Sequence, residues 1–238
     1  MREISQTLTV TESESAQRLL WQPKRLHEEE GLILKLTPHS EKGQVAQVFF
    51  AHNGIRAVFI GKKSAPQFAA KLDLRNVLCP ARAHFSFKIP SETAMPKVGH
   101  MEILEGFLSL AKDPIQWGRA AYLLEISEMM LPHAHPETEV YHLLSEALMV
   151  LAAGKGDGCL LRAYELRFLA AQGLLAPVSE WANPELVPIA HQLLSAPMLG
   201  LPAVSVKMQK QLALPFLKQW RELGFGPTKS AQYLKQFR

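Results

Sequence analysis

Between Gly31 and Pro66 the apolar positions fall in three short runs. Leu32–Leu36, Val45–Phe50 and Ile55–Ile60 are rich in β-branched or aromatic residues and are bounded by Gly, Pro, Asn or Ser, which predicts strands. His52-Asn53-Gly54 joins the second run to the third, and Asn-Gly supplies the positive φ angles of a tight hairpin, so these two strands pair antiparallel. Arg82–Ile89 alternates, with Phe85, Phe87 and Ile89 on one face and His84, Ser86 and Lys88 on the other. Val98–Phe107 supplies a fifth strand, and Ser64–Leu78 is a connection after the third with room for a helical turn. Five strands broken in this way fit an OB barrel or another small barrel.

From Asp113 the period changes to that of helices. Asp113-Pro114 gives an N-cap with proline at the first helical position, and Trp117, Ala121, Leu124 and Met129 follow at helical intervals to about Leu131. Pro136–Ala153 has an apolar stripe of Val140, Leu143, Leu144, Ala147, Leu148 and Leu151. After the turn Gly154–Gly158, Cys159–Gln172 forms a third helix stopped by Gly173. Pro184–Leu194, Val204–Leu223 and a last segment from Pro227 are further helices. Ahead of the first strand, Met1–Glu30 reads as an extension in which Ala16, Leu19, Leu20 and Trp21 suit one short amphipathic helix.

Charge changes the picture more than composition does. The net charge of +4 conceals blocks: residues 31–90 carry nine basic and two acidic groups, 91–200 carry six and thirteen, and 201–238 carry seven and one. Two positive blocks around an acidic middle make a directional field suited to an anionic polymer; the plain alternative is a solvated surface whose signs cluster. The chain start is polar, not an apolar signal core, and no run approaches a membrane span, so the expectation is a soluble cytoplasmic protein. Cys79 and Cys159 are the only cysteines and form no CxxC pair, which predicts reduced thiols.

A strand near Leu32, then Glu41-Lys42, an apolar strand, Asn53-Gly54, another strand and Gly61-Lys62-Lys63 resembles the opening of the RecO family of bacterial recombination mediators. Tyr122-Leu123-Leu124-Glu125 and the run Leu160–Leu169 followed by Gly173 resemble the family's helical core. Gly226-Pro227-Thr228-Lys229-Ser230 resembles its C-terminal signature. The resemblance selects the OB barrel and implies an α+β, multi-domain chain: an extension at 1–30, an OB-fold domain at 31–111 and an all-helical domain at 112–238. It further implies DNA repair by recombination, in which the chain binds single- and double-stranded DNA, anneals complementary strands and assists RecA loading onto DNA coated with single-strand-binding protein (SSB). RecR and the tail of SSB are the partners it implies.

The candidate DNA-binding residues are cations. Lys35, Arg56, Lys62, Lys63, Lys71, Arg75, Arg82 and Lys88 crowd the barrel, interleaved with Phe49, Phe50, Phe59, Phe68, Phe85 and Phe87. Cations hold phosphates and exposed rings stack on bases, although the alternation assigns most of these rings to the core. Lys207, Lys210, Lys218, Arg221, Lys229 and Lys235 form the second block, which can extend the DNA path or receive an acidic peptide.

Other chemistry is weakly represented. Many relatives in the family carry a cysteine zinc module after the glycine matching Gly173; here Pro177–Asn183 has no cysteine and Trp181 stands near the first ligand position, so apolar packing replaces a metal. His133, His135 and His142 read as surface or capping residues sooner than as an imidazole site. Gly61–Ser64 and Gly226–Ser230 lack P-loop spacing, and Gly154–Gly158 lacks the strand of a dinucleotide site. With no GxSxG or HExxH, no catalytic residue or cofactor is expected. A docking scaffold with a purely structural barrel and a nucleic-acid-processing enzyme are the alternatives.

Overall fold

The computed structural model describes residues 25–61 except 42, 79–89 and 94–237. The chain divides into two units: residues 1–106 with 131–138, and residues 107–130 with 139–238. The expected helix around Ala16–Trp21 and the connection at Ser64–Leu78 lie outside the described residues.

In the first unit, β1 (Leu26–Ser40), β2 (Gly43–Phe50), β3 (Gly54–Gly61), β4 (Ala81–Lys88) and β5 (Lys97–Glu105) close a barrel in the order β1-β2-β3-β5-β4. All pairings are antiparallel except the short closing seam of β3 with β5, where Phe59 and Ile60 meet Lys97 and Val98. Alternation explains the interior. Ile33, Val48, Phe50, Val58, Phe85, Phe87, Val98 and Met101 point inward and form one core. On the outer side Leu32, Phe49 and Ile55 are register partners across β1, β2 and β3, and all three are fully buried.

The first strand starts at Leu26, six residues before the first apolar run of the sequence. Its acidic segment is accommodated by alternation: Glu28 and Glu30 face outward, whereas Glu29 is buried at the hairpin turn between β2 and β3. There the Glu29 carboxylate accepts from the His52 amide and the Asn53 side chain, each at 2.7 Å. Gly54, at φ +67°, lies so close to residues 131–138 that a Cβ would stand 2.0 Å from the His135 carbonyl oxygen. The Ala134 amide donates to Ile55 O, and the Thr138 hydroxyl to Ala51 O, so this segment clasps the turn.

The second unit holds α1 (Pro114–Met130), α2 (from Thr138 to Ala152), α3 (Gly158–Ala171), α4 (Leu186–Ser195), α5 (Val206–Leu212), α6 (Leu214–Glu222) and α7 (Lys229–Leu234). Asp113 caps α1 through the Ile115 and Gln116 amides, and Asp157 caps α3 through Cys159 and Leu160. The expected stripe of α2 is buried throughout. In α1 the buried face is rotated from the expected one in part: Leu124 is buried as expected, but Trp117 and Met129 are exposed, and Gln116, Ala120, Leu123 and Ser127 are buried. The rotation works because the polar members find partners, Gln116 donating to Gly156 O and Ser127 bonding Leu123 O and the Tyr164 hydroxyl. The single helix expected over Val204–Leu223 is two, broken at Ala213. Pro215 has no amide and its ring crowds the carbonyl four residues back, which ends α5 and opens α6.

Candidate nucleic-acid interface

The barrel cations divide into engaged and exposed groups. Arg56 Nε donates to Asn53 O at 3.2 Å, and burial lowers its pKa against the pull of Glu29. Arg82 pairs with Glu30 at 3.5 Å. Lys35 and Lys88 are exposed on β1 and β4, while Lys62, Lys63, Lys71 and Arg75 lie outside the described residues.

Register brings in a lysine that the spacing alone did not single out. Lys88 and Lys97 are partners across β4 and β5, and the row continues through Phe59, Val45 and Thr37. On the other side of Lys88 stands exposed Leu26. The signal was present: an antiparallel pair joined by the loop after Ile89 places the end of one strand opposite the start of the next. Along the same outer face the charge reverses, because the next rows are Glu28, Ser86 and His100, then Glu30, His84 and Glu102. The basic end is thus a local feature of the face.

The interleaved phenylalanines are mainly core. Phe49, Phe50, Phe85 and Phe87 are 0% exposed, whereas Phe59 is half-buried and Phe68 lies outside the described residues. The Phe59 ring lies against Gly43, where a Cβ would stand 2.7 Å from its Cζ, and His39 meets it edge-on at 6.1 Å between centroids.

In the helical unit Lys207 and Lys210 are exposed on α5, and Lys218 and Arg221 on α6. Lys218 stands 3.8 Å from Glu222 in an exposed pair of little energetic weight. Lys229 opens α7 and is exposed, as is Lys235.

The three motifs of this unit bind one another. Tyr122 donates to Glu165 Oε1 at 2.7 Å, and Arg162 bonds the same oxygen at 2.5 Å. Burial pushes the Glu165 pKa up against Arg162, and burial with Glu165 pushes the Tyr122 pKa up. Arg167 donates to the carbonyls of Leu193 and Ala196 at the end of α4. Glu125 accepts from the amides of Lys229 and Ser230 and from the Ser230 hydroxyl. The amides at Gly226–Ser230 therefore already hold an anion, the protein's own. Likewise Gly154–Gly158 is a joint, its Gly156 carbonyl accepting from Gln116 and Arg119.

The described residues between Pro177 and Asn183 form a short turn with Val178 buried and the Trp181 indole 3.4 Å from Ala176 O, and they offer no thiolate for zinc. Among the described residues no three His, Cys, Asp or Glu side chains group to hold a metal ion. His135 faces Glu137, and His142 packs edge-on against Tyr141. Both cysteines are free thiols. Among the described residues no helix is long and apolar enough to cross a membrane.

A closed five-stranded barrel with a basic row on its outer face, carried by a chain whose other unit is helical, defines a two-unit α+β protein. Residues 111–202 match the family model described as "Recombination protein O C terminal". The chain is also 26% identical over 148 residues to the "DNA repair protein RecO" of Syntrophobacter fumaroxidans, over 61% of this chain and 56% of that relative. The match spans little more than half of the relative's length. The helical unit is thus similar to the C-terminal part of RecO proteins, and the chain is similar to one RecO protein over 148 residues.

Proposed function

We propose that this chain is a DNA-binding recombination mediator that works without bond chemistry. Its barrel is of the OB type, and it binds single- and double-stranded DNA, anneals complementary strands and assists RecA in replacing SSB. RecR and the SSB tail are its protein partners, and the cytoplasm is its compartment. The observation that carries the reading is the family match over residues 111–202. The exposed, register-matched Lys88 and Lys97 of the barrel are consistent with it. Cations that hold phosphates leave base edges free, so affinity is largely independent of sequence and falls steeply with salt.

The test is a salt-dependent titration of the whole chain with single- and double-stranded oligonucleotides, followed by annealing in the presence of SSB. Charge reversal at Lys62 and Lys63 flattens the salt slope by about one or two units. No binding even in dilute buffer removes the reading.

A second reading, a protein-docking scaffold with a structural barrel, is favoured by one observation: Arg56 and Arg82 are engaged within the barrel. A partner pulled down by the whole chain, with no DNA shift, would select it.

A further inference from the structure

We infer that the barrel carries a subsite for one nucleotide of a single-stranded nucleic acid: Lys88 and Lys97 take the phosphate, and Phe59, braced edge-on by His39, takes the base. The inference rests on the DNA-binding reading and narrows it to one row of the barrel.

The first observation is the lysine pair. Lys88 and Lys97 are direct partners on adjacent strands and both are exposed. Directly opposed like charges destabilise a sheet, and an anion between them reverses that cost. Among the described residues neither ammonium has a carboxylate partner, although Glu28, Glu30 and Glu102 lie on the same face. An anion from outside the barrel is suited to that place.

The second observation is the aromatic ring. Phe59 is the partner of Lys97 on the side away from Lys88, so cation, cation and ring stand in one line across β4, β5 and β3. Strands lie about 4.8 Å apart, and a base stacked on the ring brings its own phosphate over the lysines. Four other barrel phenylalanines are fully buried. Phe59 alone among these five is only half-buried, laid over a glycine that has no side chain to displace it. The acidic rows further along β4 and β5 turn a polyanion away from that direction, toward Gly61 at the end of β3, where Lys62 and Lys63 follow in the sequence.

A ring of this kind favours single strands, because in a duplex each base already has both faces covered by its neighbours. An acidic peptide would satisfy the lysines and leave the ring unused.

The experiment is fluorescence anisotropy on the full chain with oligo(dT), with an abasic oligonucleotide of equal length, and with a duplex. Phe59→Ala weakens oligo(dT) binding roughly 5- to 100-fold and leaves the abasic oligonucleotide unchanged. Phe59→Leu, which keeps the contact with Gly43, gives the same loss, and Phe59→Tyr restores binding. Lys88→Gln with Lys97→Gln weakens both single strands and lowers the salt slope by about 1 to 1.5. If the wild type binds DNA and neither set of variants changes the titration, the subsite is refuted and the DNA reading stands on other cations. If Phe59→Ala weakens the abasic strand equally, or if an acidic peptide displaces oligo(dT) with no dependence on Phe59, the nucleotide assignment is overturned. If the wild type binds nothing, the broader reading has failed first.

Discussion

The carboxylate of Glu125 accepts the backbone amides of Lys229 and Ser230, residues 104 and 105 positions further along the chain, at 2.9 and 3.0 Å. It acts as a cap supplied from another helix: α7 begins where α1 offers it a negative charge. Thr228 completes the start of α7, its hydroxyl accepting from Ala231.

Replacing Glu125 with Ala therefore costs about 1–3 kcal/mol of stability, read by urea denaturation. Partial burial raises the Glu125 pKa, but hydrogen bonds from Ser230 and Lys229 and the Lys229 charge outweigh it, and the carboxyl titrates below its ordinary value. A group depressed in the folded state stabilises above its unfolded value, about 4.3, and loses that contribution as pH falls through the folded value. The melting temperatures of wild type and Glu125→Gln thus differ most near neutrality and converge as pH falls below the unfolded value and through the depressed folded one. A gap that does not shrink with acid would show that the carboxylate's charge contributes nothing to the cap.

Glu165 runs the other way. Burial raises its pKa against Arg162 and Tyr122, so acid removes a cost at this position instead of a benefit. Tyr122→Phe, which takes away one donor, destabilises by about 1–3 kcal/mol. Arg162→Leu leaves a buried carboxylate uncompensated and costs about 3–5 kcal/mol. In a Glu165→Leu background the same Arg162 change costs much less, and a double-mutant cycle measures the difference. Additive losses would mean that the pair is not coupled.

Gly54→Ala addresses the turn of the barrel. The left-handed backbone and the His135 carbonyl leave no room for a methyl group, and the expected loss is about 2–4 kcal/mol in thermal or chemical unfolding. Gly154 also has a positive φ, but a Cβ there meets nothing within 4 Å. Gly154→Ala should lose only about 1–2 kcal/mol of backbone strain. Equal effects at the two sites would rule out crowding by His135 as the cause at Gly54.

Much of the fold was legible because alternation and turn residues act locally. The hairpin at Asn53-Gly54, the alternating β4 and the Asp113 cap depend on neighbours a few residues away. The first half of β1 was not legible, because three consecutive glutamates read as a solvated run until the turn that receives Glu29 is in place. The α1 stripe was legible only in part, for a related reason. Gln116 and Ser127 become acceptable in a core only when Gly156, Leu123 and Tyr164 supply partners. The candidate site was half legible: cations show in a sequence, but whether an arginine is held by its own barrel does not. Arg82 and Lys88 look alike on paper and differ in having Glu30 within reach.

Residues 131–138 complete the first unit although they are encoded between two helices of the second. Cutting the gene after residue 106 would yield a barrel whose tightest bend lacks the backbone that shields it, and the remaining product would carry an orphaned loop. Neither half is a self-contained cassette. Domain swaps and truncations should transplant the clasp together with the strands it guards, or they will report on damage at the cut and not on the division of labour.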